Sequence, residues 1–176
     1  MEFTKLTEER RSVRKYSSKK VTESQLKELI GSTLLAPTWK NSETGRYYAV
    51  ISDTKLEALR AESLPSFNQK SSSGAALIVT SFVKDTAGFT SGVADNEAGN
   101  MWGAYDLGLQ NAYLVLKARD MGLDTLIMGL RDADLLRKEL SIPDNEIIVS
   151  VIAVGYRDEE PSFRQRKSVD EVLKIF

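Results

Sequence analysis

Apolar positions recur along this chain at two periods, and the changes of period lay out the elements. Leu26, Leu29, Ile30, Thr33 and Leu34 fall on one helical face, the stripe of an amphipathic helix. Thr22-Glu23-Ser24-Gln25 precedes them and reads as a capping box, with Thr22 as N-cap and Gln25 at N3. Pro37 ends that helix, because the residue before a proline is pushed out of helical geometry. A short helix is expected over residues 4–11, and another, capped by Asp53, through about residue 62. Residues 47–51 and 75–83 read as strands. Residues 147–154 form a continuous apolar run of strand length, the pattern of a strand covered on both faces. Residues 101–121 are apolar around most of the helical circumference, which marks a helix central to a core or to an oligomer interface. Gly103 and Gly108 are small contact points on it, and Gly122 can cap its end. A short strand near 125–128 and a helix near 132–140 follow. Residues 84–99 read as a mobile loop. This order predicts an α+β fold, a central mixed or antiparallel sheet with helices packed over it. No linker or repeat divides residues 1–176, so one domain is expected.

The tail does not fit a free end. After Gly155 the chain is polar, yet Val169, Val172, Leu173, Ile175 and Phe176 are apolar. They either cover the core of their own chain or pack on a partner subunit.

Composition narrows the chemistry. With 176 residues, 41% of them hydrophobic and 28% charged, the chain can bury a sizeable core. A pI of about 5.7 argues against a general nucleic-acid binder. No apolar run approaches the ~20 residues of a membrane span, and the first residues lack the apolar core of a signal peptide. A cytoplasmic protein with no membrane partner is expected. The chain has no cysteine and no histidine, which removes thiolate nucleophiles, Cys-based metal sites and every Ser-His or Cys-His arrangement. If it is an enzyme, a bound cofactor carries the reaction and no side chain is expected to act as the catalytic group.

One cluster stands against the balanced charge. Residues 10–20 hold six cations and no acid in a chain of net charge −1. The core of the cluster is Arg10-Arg11-Ser12-Val13-Arg14. Arginine is a planar, bidentate, always-charged donor, so Arg-x-Ser-x-Arg suits a phosphate. A solvated basic helix end is the competing reading of these residues alone.

Four blocks, taken in order, resemble the FMN-dependent nitroreductase family over nearly the whole chain. They are Arg10-Arg11-Ser12-Val13-Arg14-Lys15-Tyr16, then Ala36-Pro37-Thr38-Trp39-Lys40-Asn41-Ser42-Glu43, then Gly122-Leu123-Asp124 leading to Met128-Gly129, and last Gly155-Tyr156 with Pro161, Arg164 and Arg166 ahead of Val169-Asp170-Glu171-Val172. A lone Arg-Arg-Ser recurs by chance; four blocks in one order do not.

The resemblance implies a three-layer α/β/α fold and an intertwined homodimer with an extended C-terminal tail. It implies FMN at the subunit interface and NADH or NADPH as co-substrate. By this resemblance Arg10, Ser12, Arg14, Arg164 and Arg166 would hold the phosphate and ribityl chain. Pro37, Thr38, Trp39, Asn41 and Glu43 would reach the flavin of the partner subunit. Asn68 and Lys70 would contact the pyrimidine edge, and the backbone N–H of Met128 or Gly129 would bond N5. Glu43 departs from the usual Gln, and an ionised carboxylate accepts hydrogen bonds without donating. Gly45 stands where a Trp is common, so packing under that loop is expected to be missing. The lid region is short, residues 84–99. The activity implied is ping-pong transfer from NAD(P)H to nitroaromatic, quinone or other electron-poor acceptors. A different flavin reaction (oxidation, dehalogenation or flavin breakdown), or flavin binding with little turnover, are the alternatives.

Overall fold

The computed structural model describes residues 2–176. The first helix, α1, covers Phe3–Glu9, two residues shorter at its end than expected. Arg10 leaves it in an extended conformation (φ −60°, ψ 130°), so the basic cluster is extended chain and not a helix end. Helix α2 spans Glu23–Thr33 with the reciprocal Thr22–Gln25 capping box in place. A single 3-10 turn at Trp39–Asn41 leads into β1, Gly45–Val50. Helix α3 covers Asp53–Ser63 with Ser52 as N-cap. Asp53 therefore stands in the first turn, where its charge faces the positive end of the helix, and not at the cap.

Helix α4, Ser66–Ser71, is too short to show a period in the sequence. Strand β2, Ala76–Val83, follows. Residues 84–99 are not simply a loop: β3, Phe89–Thr90, pairs with β4, Val93–Ala94. Helix α5, Met101–Asp120, is closed by Gly122 in the left-handed conformation at φ 75°. Strand β5, Asp124–Met128, helix α6, Ala133–Leu140, capped by the Asp132 side chain, strand β6, Glu146–Gly155, and the one-turn α7, Val169–Val172, complete the chain.

Among the described residues the main sheet has the order β1-β2-β6-β5 with every neighbour antiparallel. Alternation sends Leu77, Val79, Val151 and Ala153 to one face with Leu56, Leu59 and Leu136 of α3 and α6. Ala76, Ile78, Ile152 and Val154 go to the other face, under Leu26 and Leu29 of α2 and Leu114 and Ala118 of α5. Two apolar faces demand two covering layers, and the three-layer arrangement follows. β2 and β6 are the central strands and are buried along most of their length, as their apolar runs foretell. No helix among the described residues is long and apolar enough to cross a membrane.

The edge of β5 positions the site. Val13 N–H donates to Thr125 O at 3.0 Å, and Ser17 N–H donates to Tyr156 O at 2.9 Å. The buried side chains of Val13 and Tyr16 anchor this segment in the core. Arg14 and Lys15, between them, are held at the surface. The chain beyond β6 returns alongside, with Asp158 N–H donating to Lys15 O at 2.9 Å. The tail then leaves the body. Phe163, Val169, Val172, Ile175 and Phe176 are all exposed, so of the two readings of that apolar end, coverage of its own core is excluded.

Candidate functional site

Two segments from opposite ends of the chain wall one cleft of about 670 Å³. Arg10, Arg11, Ser12 and Arg14 come from the segment after α1; Arg164 and Arg166 come from the tail. The five phosphate-site residues expected from the sequence therefore converge. The tail carboxylates that could have neutralised the arginines are engaged elsewhere. Asp158 pairs with Lys15 at 3.3 Å and Glu160 with Arg157 at 3.5 Å. Glu159 accepts the Arg14 backbone N–H at 2.7 Å. Among the described residues Arg10, Arg164 and Arg166 form no ion pair. Arg11 lies over the Phe163 ring, 5.0 Å from its centroid.

Burial, then the adjacent Arg166 and Arg11 guanidiniums, pull the pKa of Arg10 below its ordinary value. Loss of water around the guanidinium comes first, and crowding by like charge adds to it. The lining holds five arginines and three glutamates, Glu8, Glu159 and Glu160, an excess of two positive charges. A phosphomonoester carries nearly that charge with the opposite sign, and its oxygens suit guanidinium forks.

A second groove of about 260 Å³ adjoins the first through Arg14, which lines both. Asn68, Met128 and Gly129 border it with Phe67 and Ile127. Asn68 is buried, and its Nδ2 donates to Leu130 O at 3.1 Å, which fixes α4 against the end of β5. Lys70 is exposed on α4 and lines neither groove.

The segment from Pro37 to Glu43 lies apart from both grooves. Its loop is shaped by three left-handed residues, Lys40, Asn41 and Glu43. Trp39 N–H donates to Asp106 Oδ2 on α5 at 2.8 Å, and its ring lies 4.5 Å from that of Trp102. Burial pushes the Asp106 carboxyl above its ordinary range, against the Trp39 bond that lowers it. Trp39 Nε1, Ser42 Oγ and Thr44 Oγ1 are buried without partners. Glu43 N–H donates to Thr38 Oγ1 at 3.2 Å, and the Glu43 carboxylate accepts from Asn41 Nδ2 at 3.1 Å. The departure from Gln is thus answered locally by an amide donor. The hairpin clasps this loop: Lys40 Nζ donates to Thr90 Oγ1 at 3.0 Å and pairs with Asp95 at 3.2 Å.

Gly45 corrects an expectation. The space beneath it is not missing its packing, since a Cβ there would collide with Gln110 Oε1 and meet Leu107. The buried Gln110 amide fills the gap. The sequence carried no signal of this, because Gln110 lies on a different helix.

A family model described as the nitroreductase family matches residues 7–156. A protein of Archaeoglobus fulgidus with the provisional name NADH dehydrogenase/NAD(P)H nitroreductase is 24% identical over 166 residues, 92% of this chain and 89% of that one. Among solved structures, a nitroreductase family protein from Streptococcus pneumoniae superposes with a TM-score of 0.85 at 23% identity, covering 99% of this chain and 100% of its own. A protein of Staphylococcus epidermidis, provisionally named NAD(P)H:FMN oxidoreductase, gives 0.83 at 18% identity, covering 99% and 96%.

Proposed function

We propose that this chain, which belongs to the nitroreductase family, is an NAD(P)H-dependent FMN oxidoreductase that works as a homodimer in the cytoplasm. The observation that carries the reading is the convergence of unpaired arginines from both chain ends on one cleft. Arg10, Arg14, Arg164 and Arg166 would hold the FMN phosphate, with Ser12 as a further donor. An anion there would offset both the burial and the neighbouring positive charge that depress Arg10. It also meets guanidinium forks that can bond its oxygens in pairs. The adjoining groove would take the ring system, which Asn68 and a backbone N–H of Met128 or Gly129 would hold by hydrogen bonds. FMN bound there would supply the redox chemistry that links NAD(P)H oxidation to reduction of a second substrate, a ping-pong scheme in our reading.

The chain's own work is to position and to exclude water. Histidine and cysteine are absent, so donors near the ring come from amides and the main chain. Pro37, Thr38, Trp39, Asn41 and Glu43 lie apart from both grooves of their own chain. In a dimer they would close the groove of the partner subunit, while Trp39 and Trp102 offer flat surfaces to an aromatic acceptor. The acceptors that fit are nitroaromatics, quinones and other electron-poor molecules.

The experiment is a visible spectrum of the purified protein with its size in solution. A yellow dimer that bleaches anaerobically on addition of NADH or NADPH supports the proposal. A yellow protein that does not bleach favours flavin binding with little turnover. A colourless monomer that takes up no added FMN overturns it.

A further inference from the structure

Beneath the cleft lies a chain of alternating charges that the phosphate reading does not use. Its centre is Asp124, the first residue of β5, paired in register with Gly155 of β6 and with a side chain only 2% exposed. Its Oδ2 meets Arg119 at 3.4 Å and Arg157 at 3.7 Å. Arg119, on α5, continues to Glu9 at 3.2 Å, the residue directly before Arg10. Arg157 continues to Glu160 at 3.5 Å, which lines the cleft four residues before Arg164. The two outer ends therefore touch the two arms of the cleft, and the centre is fixed in the sheet.

We propose that Asp124 is a positioning residue for the anion cleft: through Arg119 and Arg157 it sets the separation of the arm that carries Arg10 from the arm that carries Arg164 and Arg166. The inference rests on the reading of this cleft as the FMN phosphate site. Main-chain bonds tie the first arm to the sheet at Val13 and Ser17, and Asp158 N–H ties the second arm to Lys15 O of the first. Arg10, Arg164 and Arg166 lie outside those ties, so side chains must define their placement. A buried carboxylate shared by two guanidiniums is a stiff fixture, because each alternative leaves a buried charge unpaired. It also keeps Arg119 and Arg157 from competing for the phosphate. Burial raises the Asp124 carboxyl above its ordinary range, Arg119 and Arg157 oppose that rise, and Glu160 adds to it.

The test compares FMN with riboflavin, which lacks the phosphate, by flavin fluorescence titration of the apoprotein. Three variants are needed: Asp124→Asn, Arg157→Lys and Arg166→Ala. Arg157→Lys keeps the charge, but a single ammonium cannot reproduce the fork that reaches both Asp124 and Glu160. Arg166→Ala lowers the preference for FMN over riboflavin by roughly tenfold or more, the scale of a lost charge-assisted bond. Asp124→Asn and Arg157→Lys lower it by about three- to tenfold, with riboflavin affinity unchanged, as misaligned hydrogen bonds would. If Arg166→Ala lowers the preference and the other two do not, the positioning role is overturned and the phosphate reading stands. Equal weakening of both ligands makes Asp124 a stability residue only, and also overturns it. If Arg166→Ala changes nothing, the phosphate reading falls and this inference with it. Should Asp124→Asn fail to fold, Arg157→Lys decides alone.

Discussion

At the scale of single residues, Arg10, Arg14, Arg164 and Arg166 offer the planar forks that the proposed phosphate would need. That Gln110 fills the space at Gly45 was invisible, since sequence spacing says nothing about which helix faces a loop. Gly45→Ala should cost about 1–3 kcal/mol by overpacking. The cost should shrink when Gln110→Ala is added, and a double-mutant cycle of chemical denaturation checks it. Asp106 offers a pH test. Its folded pKa is raised, so the stability tied to its protonation is present below the unfolded value and is lost as pH rises through the folded one. Asp106→Asn should therefore gain stability over the parent at pH 7, and the gain should vanish toward pH 3. Tyr48 carries the same sign at the alkaline end. Burial and its bond to the Glu146 carboxylate, 2.9 Å away, push it up to about 12. The parent should lose stability between pH 10 and 12, and Tyr48→Phe should lose less, as thermal melts across that range would register.

Among the elements, those long enough to show a period appeared where expected, and those set by contacts did not. The capping box of α2 was readable because both of its bonds lie within four residues. Thr22→Ala should cost about 1 kcal/mol, seen as a lower melting temperature. Helix α4 and the β3–β4 hairpin were missed because six residues and two-residue strands hold too little pattern to read. Helix α5 shows propensity and packing in opposition. Gly103 and Gly108 are equally poor helix formers, yet a Cβ on Gly103 would strike the Phe82 ring while one on Gly108 meets nothing. Gly103→Ala should destabilise the protein, and Gly108→Ala should leave the folded subunit as stable or more so, by about 0.5–1 kcal/mol. Calorimetry of both variants separates the two effects.

In the whole molecule, the proposed dimer gathers what the single chain leaves uncovered. Met101, Tyr105 and Tyr113 make an exposed stripe on α5, and the tail exposes Val169, Val172, Ile175 and Phe176. Apolar surface on this scale is what the proposed dimer would cover. Gly108→Glu, on the exposed face of α5, should shift the protein toward monomer, and removal of residues 168–176 should weaken the dimer, both read by sedimentation. The sequence by itself determined the α+β class and the central strands, because periodicity is a local property of a chain. Only the tertiary structure decided that Arg14 and Glu159, 145 residues apart, lie in one cleft, and that the loop from Pro37 to Glu43 lies apart from it. The physical reason is that convergence depends on sheet order and register. The β5 edge receives the N-terminal segment, β6 delivers the tail beside it, and no run of neighbouring residues encodes that meeting.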